Sequence, residues 1–353
     1  MSRFLSLPAL LALVLLPVFS LPAQAVMPQP DAAQRKALES MKGKNVRFCI
    51  FDPVGANGPA MGYAKDYLLE GRKWGINAEL RAYVDERVAA EDLKAGLCDA
   101  AAITTLRTKQ FNHFVGSLDA VGGVPDNAHM RDVLRSLADP KMAPLMIKGN
   151  FEVAGLIPLG SVYVMVRDRA INSIEKAAGK KVAVMEWDKS QAKMVQRLGA
   201  QPVASDITNF AGKFNNGQVD IIAAPAVAFK PLEIYRGLGD KGAVYRFPLA
   251  MLSASIVLRR DRFPPEVGQK MREFVVTQIE EAYKYIAREE AGIEARYWLD
   301  LTPADKAKYL GLMREARLSM TAEGDYDPRM MKLLKRVRCK NAPGSAECSL
   351  NDE

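Results

Sequence analysis

Histidine is almost absent: His113 and His129 are the only two in 353 residues, and neither clusters with a cysteine. No Cys-x-x-Cys, His-Glu-x-x-His, Gly-x-Ser-x-Gly or Walker-type loop occurs either. Those spacings set up a zinc site, a metallohydrolase, a serine-hydrolase elbow or a nucleotide cradle. Without them the chain lacks the marks of an enzyme, and neither metal nor cofactor is expected. Residues 55–62 come nearest to a phosphate loop but miss the Gly-x-Gly-x-x-Gly spacing, and read as a turn that opens a helix. Past residue 25, no apolar stretch approaches the length of a membrane span. Hydrophobic residues at 49% and aromatics at 8% describe ordinary globular domains.

An export signal comes first. Arg3 precedes the apolar run Phe4 to Leu21, and Ala23-Gln24-Ala25 supplies the small-x-small pattern of signal peptidase. Residues 1–25 therefore read as a signal peptide cleaved after Ala25. Pro8 and Pro17 interrupt the run, which argues against a membrane anchor, and no cysteine stands near the cleavage point to carry a lipid. The mature chain is expected in the periplasm. Losing Arg3 leaves 48 of the 49 basic residues against 41 acidic ones, a net charge of +7. Export excludes nucleic acid as a partner. An anionic membrane surface, an acidic partner or simple solvation remain as readings of the basic surplus. A monomer is expected.

Cys49, Cys98, Cys339 and Cys348 are an even set in an oxidising compartment. Cys49 falls in the apolar run Val46 to Phe51 and Cys98 opens the run to Ile103. These read as parallel strands of one sheet, so Cys49 with Cys98 is the favoured pairing. Cys339 with Cys348 would then close a short loop around Pro343 and Gly344.

The chain alternates strand and helix, and does so twice. Val46 to Phe51, Met61 to Trp74, Ala78 to Val84, Glu86 to Lys94 and Cys98 to Ile103 read as βαβαβ. Lys181 to Met185, Lys189 to Leu198, Gln201 to Val203, Ile207 to Asn215 and Val219 to Ala223 repeat it. Both units enter their last strand through Gly-x-x-Asp, as Gly96-Leu97-Cys98-Asp99 and Gly217-Gln218-Val219-Asp220. Two α/β lobes are expected, each with its own parallel sheet. Residues 26–160 with 249–262 form the first and 161–248 the second. Glu152 to Val166 and Tyr245 to Leu258 would cross between them as hinges. Residues 263–292, opened by Pro264 and Pro265 and closed by Gly292, predict one helix of about 40 Å spanning both lobes. Two helices over 293–338 and a tail over 339–353 follow.

Arg169-Ala170-Ile171-Asn172-Ser173-Ile174, Gly179-Lys180-Lys181-Val182, Leu198-Gly199-Ala200-Gln201-Pro202 and Gly217 to Asp220 resemble TRAP-transporter periplasmic receptors of the DctP type. The likeness is best over residues 169–225 and looser in the first lobe. More narrowly, the chain is similar to the AdeT group, which has been associated with RND-type drug efflux. The resemblance implies a type II-like, two-lobed periplasmic-binding-protein fold, a small-molecule ligand in the interlobe cleft and a membrane transporter or efflux component as partner. The family's carboxylate anchors are replaced. Its strand arginine falls on Ala183, a second arginine on Tyr163 (Val162 with a slip of one), and an asparagine before proline on Ala224 before Pro225. Alanine offers no donor to a carboxylate, so simple dicarboxylates are not expected as ligands.

In parallel sheets the ligand lies beyond the carboxyl ends of the strands. Asp52, Asn57, Thr104, Thr105, Glu186, Trp187, Asp188 and Pro225 hold such places and join Tyr163, Ala183 and Ala224 as candidate cleft residues. Glu186-Trp187-Asp188 reads in two ways. Facing the cleft, an indole between carboxylates stacks on a sugar or holds a cation; otherwise Asp188 caps a helix and Trp187 tucks against its lobe. Arg107 and Arg167 are the cations placed to restore anion binding. The alternative to ligand capture is an accessory protein docking through Arg329, Lys332, Lys335, Arg336, Arg338 and Lys340.

Overall fold

The structure, a computed structural model, describes residues 29–353. The signal-peptide reading of residues 1–25 lies outside them. Among the described residues there are ten strands: β1 (Asn45–Phe51), β2 (Asn77–Tyr83), β3 (Ala100–Thr104), β4 (Ile147–Lys148), β5 (Phe151–Val166), β6 (Lys181–Met185), β7 (Gln201–Ser205), β8 (Ile221–Pro225), β9 (Ala243–Arg259) and β10 (Trp298–Leu299). In the first lobe β1 pairs in parallel with β2 and β3, and in the second β6 pairs in parallel with β7 and β8. Local signals set these units. Pro59 starts the helix Pro59–Lys73 at its first turn. Gly96, at φ +77°, closes the helix Glu86–Ala95 in a left-handed cap.

The repeated Gly-x-x-Asp does the same work in both lobes. Asp99 accepts the Arg47 backbone N–H at 2.8 Å, and its own N–H returns to the Arg47 carbonyl. Asp220 does likewise with Lys181, at 2.9 Å. Each aspartate thereby ties the entrance of its strand to the strand beside it.

The expectation of a separate sheet in each lobe needs correction. β5 and β9 are 16 and 17 residues long and pair antiparallel from Phe151 opposite Arg259 to Val166 opposite Ala243. β9 also pairs antiparallel with β3, and β5 with β8. The ladder therefore runs unbroken as β2-β1-β3-β9-β5-β8-β6-β7, and the two lobes hang on a shared ribbon. Shifts of register between Val153 and Gly155 and between Pro158 and Gly160 bend that ribbon. Gly160 sits at φ +91°, and a Cβ there would meet Ile286 Cγ2 at 2.7 Å. Gly160→Ala is expected to destabilise by about 1–3 kcal/mol, read as a lower urea midpoint at unchanged slope.

The single long helix also needs correction: it is two, Pro265–Thr277 and Ile279–Ala291, meeting at Gln278. The Thr277 hydroxyl donates to the Phe274 carbonyl at 2.7 Å, while the Gln278 N–H turns to Val275 instead. The α-helical bond between them is thus replaced. Both segments still pack along β5, with Val275 against Gly155 and Ile286 against Gly160. Helices Pro303–Ala322 and Pro328–Asn341 follow. Both favoured disulfides are formed, Cys49–Cys98 with Cα atoms 5.9 Å apart and Cys339–Cys348 at 5.6 Å.

The tail is no loose end. Glu347 and Glu353 pair with Arg338, and Glu353 also with Arg317, while Asp352 pairs with Lys335. Arg338 further donates to the Gly123 carbonyl. The basic stripe is partly drawn inward: Lys335 and Arg338 are buried in these pairs, while Arg329 and Lys340 pair with Asp327 and Asp132 at the surface. Lys332 and Arg336 remain exposed.

Candidate functional site

A cavity of about 270 Å³ opens where the lobes meet. Its floor is the first-lobe sheet, through Phe48, Ile50, Ala78, Leu80, Ala102 and Ile256. The helix Pro59–Lys73 roofs it with Tyr63, Ala64, Tyr67, Leu68 and Gly71, followed by Trp74. Phe274 and Tyr285 close one side from the paired helices, and Ile207, Phe210, Val227 and Leu232 reach in from the second lobe. Rings meet edge to face around it, Tyr67 and Trp74 each against Phe274 and Tyr63 against Tyr285. Burial pushes up the pKa of Tyr63, Tyr67 and Tyr285, the last to about 12, so all three hydroxyls stay neutral donors.

Among the described residues, no lysine, arginine or histidine lines this cavity, and Asp52 supplies its one carboxylate. That carboxylate is buried, accepting the N–H groups of Val54 at 2.9 Å and Met61 at 3.1 Å. Such a lining binds by shape and apolar contact. It offers an anion no counter-charge.

Of the candidates from sequence, Asp52, Thr104 and Pro225 line the cavity. The others do not, each for a physical reason. Thr105 is turned into a buried hydroxyl network, 2.8 Å from both Ser253 Oγ and Ser255 Oγ. Tyr163 and Ala224 do come together, as direct partners across β5 and β8, with Ala183 on the neighbouring β6. All three belong to the second-lobe core around Phe214, and the Tyr163 hydroxyl donates to Glu290 at 2.9 Å. Asn57 is exposed in its turn.

The Glu186-Trp187-Asp188 triplet is off the cavity too. Glu186 is exposed, the Asp188 N–H bonds the Met185 carbonyl, and Trp187 lies beneath the Arg107 guanidinium, 4.2 Å from ring centre. The cation that the indole holds is thus the protein's own, from the opposite lobe. Arg107 also pairs with the buried Glu86, whose pKa burial raises despite the Thr104 and Arg107 contacts. Arg167 donates to the Phe214 and Asn215 carbonyls. Neither arginine is placed to receive an anion in the cavity.

Sequence reasoning missed the stripe Tyr63, Tyr67, Leu68, Trp74 and the facing Phe274 and Tyr285. Their helical spacing was legible, but it reads as a packed core.

Three comparisons bear on this geometry. Residues 69–353 match the family described as Solute-binding protein AdeT 1/2. The chain is 49% identical over 304 residues to the probable solute-binding protein AdeT1 of Acinetobacter baumannii, covering 86% of this chain and all of that one. Among solved structures it resembles a TRAP periplasmic solute-binding protein from Desulfovibrio salexigens with bound orotic acid. That match has a TM-score of 0.71 at 13% identity, over 84% of this chain and 99% of the other. Another, from Ralstonia eutropha H16 with bound (S)-2-acetolactate, gives 0.70 at 15% identity over the same shares. The low identities speak to the fold, which is the two-lobed one of TRAP solute-binding proteins. With the family match over most of its length and the close AdeT1 relative, the chain belongs to the AdeT1/2 family of solute-binding proteins.

Proposed function

We propose that this chain works in the periplasm as the capture component of a membrane transport system, holding a small molecule between its lobes without transforming it. The ligand is not a simple carboxylate. One observation carries that reading: the interlobe cavity is lined by aromatic and aliphatic side chains and by no cation. The structural relatives are named with orotic acid and acetolactate bound. Here the positions where the resemblance puts anion anchors are Ala183, Tyr163 and Ala224, packed into the second-lobe core. The lobes would close and open by bending the shared ribbon at its irregular register, with Arg107 and Trp187 as a contact made on closure. Capture is favoured over docking because two of the six basic side chains offered for docking, Lys335 and Arg338, are buried in ion pairs with the tail.

Native mass spectrometry of gently purified protein, followed by thermal shift against carboxylates and neutral compounds, tests this. Succinate and glucuronate are expected to leave the melting temperature unchanged. A true ligand at a hundred times its Kd is expected to add about 2.7 kcal/mol. A clear shift with succinate would refute the reading.

A further inference from the structure

The two faces of the first-lobe sheet are packed very differently. On one, Cys49, Ala101, Ile103 and Val257 are at most 1% exposed beneath the helix Glu86–Ala95, a closed core. On the other, Ile50, Ala100 and Ile256 are buried, but Phe48, Ala78, Leu80 and Ala102 stay only partly buried although the helix Pro59–Lys73 lies over them. That helix buries just Met61 and Gly71. Protein interiors otherwise pack to crystal density, so a helix held off its own sheet leaves room for something else.

The shape of that room is specific. Ala60, Tyr63, Ala64, Tyr67, Leu68 and Gly71 line it at intervals of three and four, so one stripe of the helix faces it from the first turn to the last. From Ala60 to Gly71 that stripe rises by eleven steps of about 1.5 Å, a slot of about 17 Å. It is kept open by small side chains on both walls, Ala60, Ala64 and Gly71 above and Ala78, Ala100 and Ala102 below. The cleft end carries Asp52, Thr104, Tyr63 and Tyr285, and the far end is walled by Trp74 and Phe274, with the buried Lys270 ammonium outside the lining, 5.9 Å from the centre of the Trp74 ring.

From this we infer that the ligand is a single-chain apolar molecule, threaded between the helix Pro59–Lys73 and the sheet, with an uncharged hydrogen-bonding head at the cleft. This rests on the capture role proposed above and names its ligand class. A cavity of about 150 Å³ takes up the six carbons of benzene, so 270 Å³ suits a chain of roughly eleven carbons. A carboxylate head is disfavoured, because the lining offers it no lysine, arginine or histidine as a counter-charge.

The test is a series of linear primary alcohols from butanol to dodecanol, with decanoate and a panel of sugars as the other arms, all below aggregation concentrations. Binding is read by melting temperature and by the fluorescence of Trp74 against a Trp74→Phe control. Affinity is expected to rise about fourfold per added carbon, reaching a plateau near the slot's length. Decanoate should bind at least tenfold more weakly than decanol. Ala78→Phe and Ala102→Leu fill the slot and should weaken decanol at least tenfold while leaving the ligand-free melting temperature equal or higher. Affinity independent of chain length, decanoate matching decanol, or slot-filling variants that bind decanol normally would each overturn the inference. A sugar that stabilises where no alcohol does would overturn it and leave the capture role standing. No response to any compound in the series would count against both.

Discussion

Glu152→Ala is expected to lower stability by about 3–5 kcal/mol, because it leaves the Arg272 guanidinium charged and unpaired inside the protein. Glu152 and Arg272 are 2% and 4% exposed, and Arg272 Nη1 lies 2.6 Å from Glu152 Oε1. The pair joins the start of β5 to the helix Pro265–Thr277, and Arg272 also donates to the Val153 carbonyl at 2.9 Å and to Gln269 Oε1 at 2.8 Å. The site is fitted tightly around it: a Cβ on Gly268 would come within 2.3 Å of the carboxylate. Urea denaturation followed by circular dichroism reads the loss. Replacing both partners, as Glu152→Leu with Arg272→Met, should recover most of it, since well-packed apolar pairs often replace a buried ion pair at no loss. Equal midpoints for Glu152→Ala and the parent would show that the pair carries no net weight.

Asp119→Asn is expected to flatten the stability profile between pH 4 and pH 7. Asp119 is buried, and burial lifts its carboxyl from 3.8 to about 7 although Ser253 donates to it from both hydroxyl and backbone N–H. The folded state therefore keeps a proton that the unfolded chain has released over that range. Stability from this group is fully present below about pH 4, declines by about 1.4 kcal/mol per pH unit, and is lost once pH passes 7. Exposed carboxylates such as Asp261, held down to about 2 by Arg259 and Asn150, add stability in the opposite direction at lower pH. The difference between variant and parent isolates Asp119. Urea midpoints at pH 4.5, 5.5, 6.5 and 7.5 should diverge steadily if the carboxyl titrates as described, and run parallel if it does not.

What the sequence disclosed was mostly local. β6 (Lys181–Met185) is legible to the residue because Gly179 and Asp188 bracket a short apolar run. The Gly-x-x-Asp corners are legible because caps are local chemistry. The helix Ala32–Met41 carries a full capping box of Asp31 and Gln34 that a reader of the sequence can find, yet it was not anticipated. The break at Gln278 is different in kind. It depends on which acceptor the Thr277 hydroxyl takes, and periodicity is blind to that.

The candidate site was the least legible part. Strand ends gave Asp52, Thr104 and Pro225. An empty slot, however, is the absence of atoms between a helix and a sheet. The alanines that make it come from separate segments, each of which alone looks like good core. The partner of Trp187 was equally hidden, since Arg107 arrives from eighty residues away in the other lobe.

The shared ribbon also bears on how the protein can be taken apart. Cutting the gene so that either half is made alone would strip β5 or β9 of the neighbour that satisfies it along 16 or 17 residues. The bared backbone donors and acceptors form a template on which other chains stack. Fragments of this protein should therefore precipitate when expressed singly, and regain solubility when both are produced in the same cell.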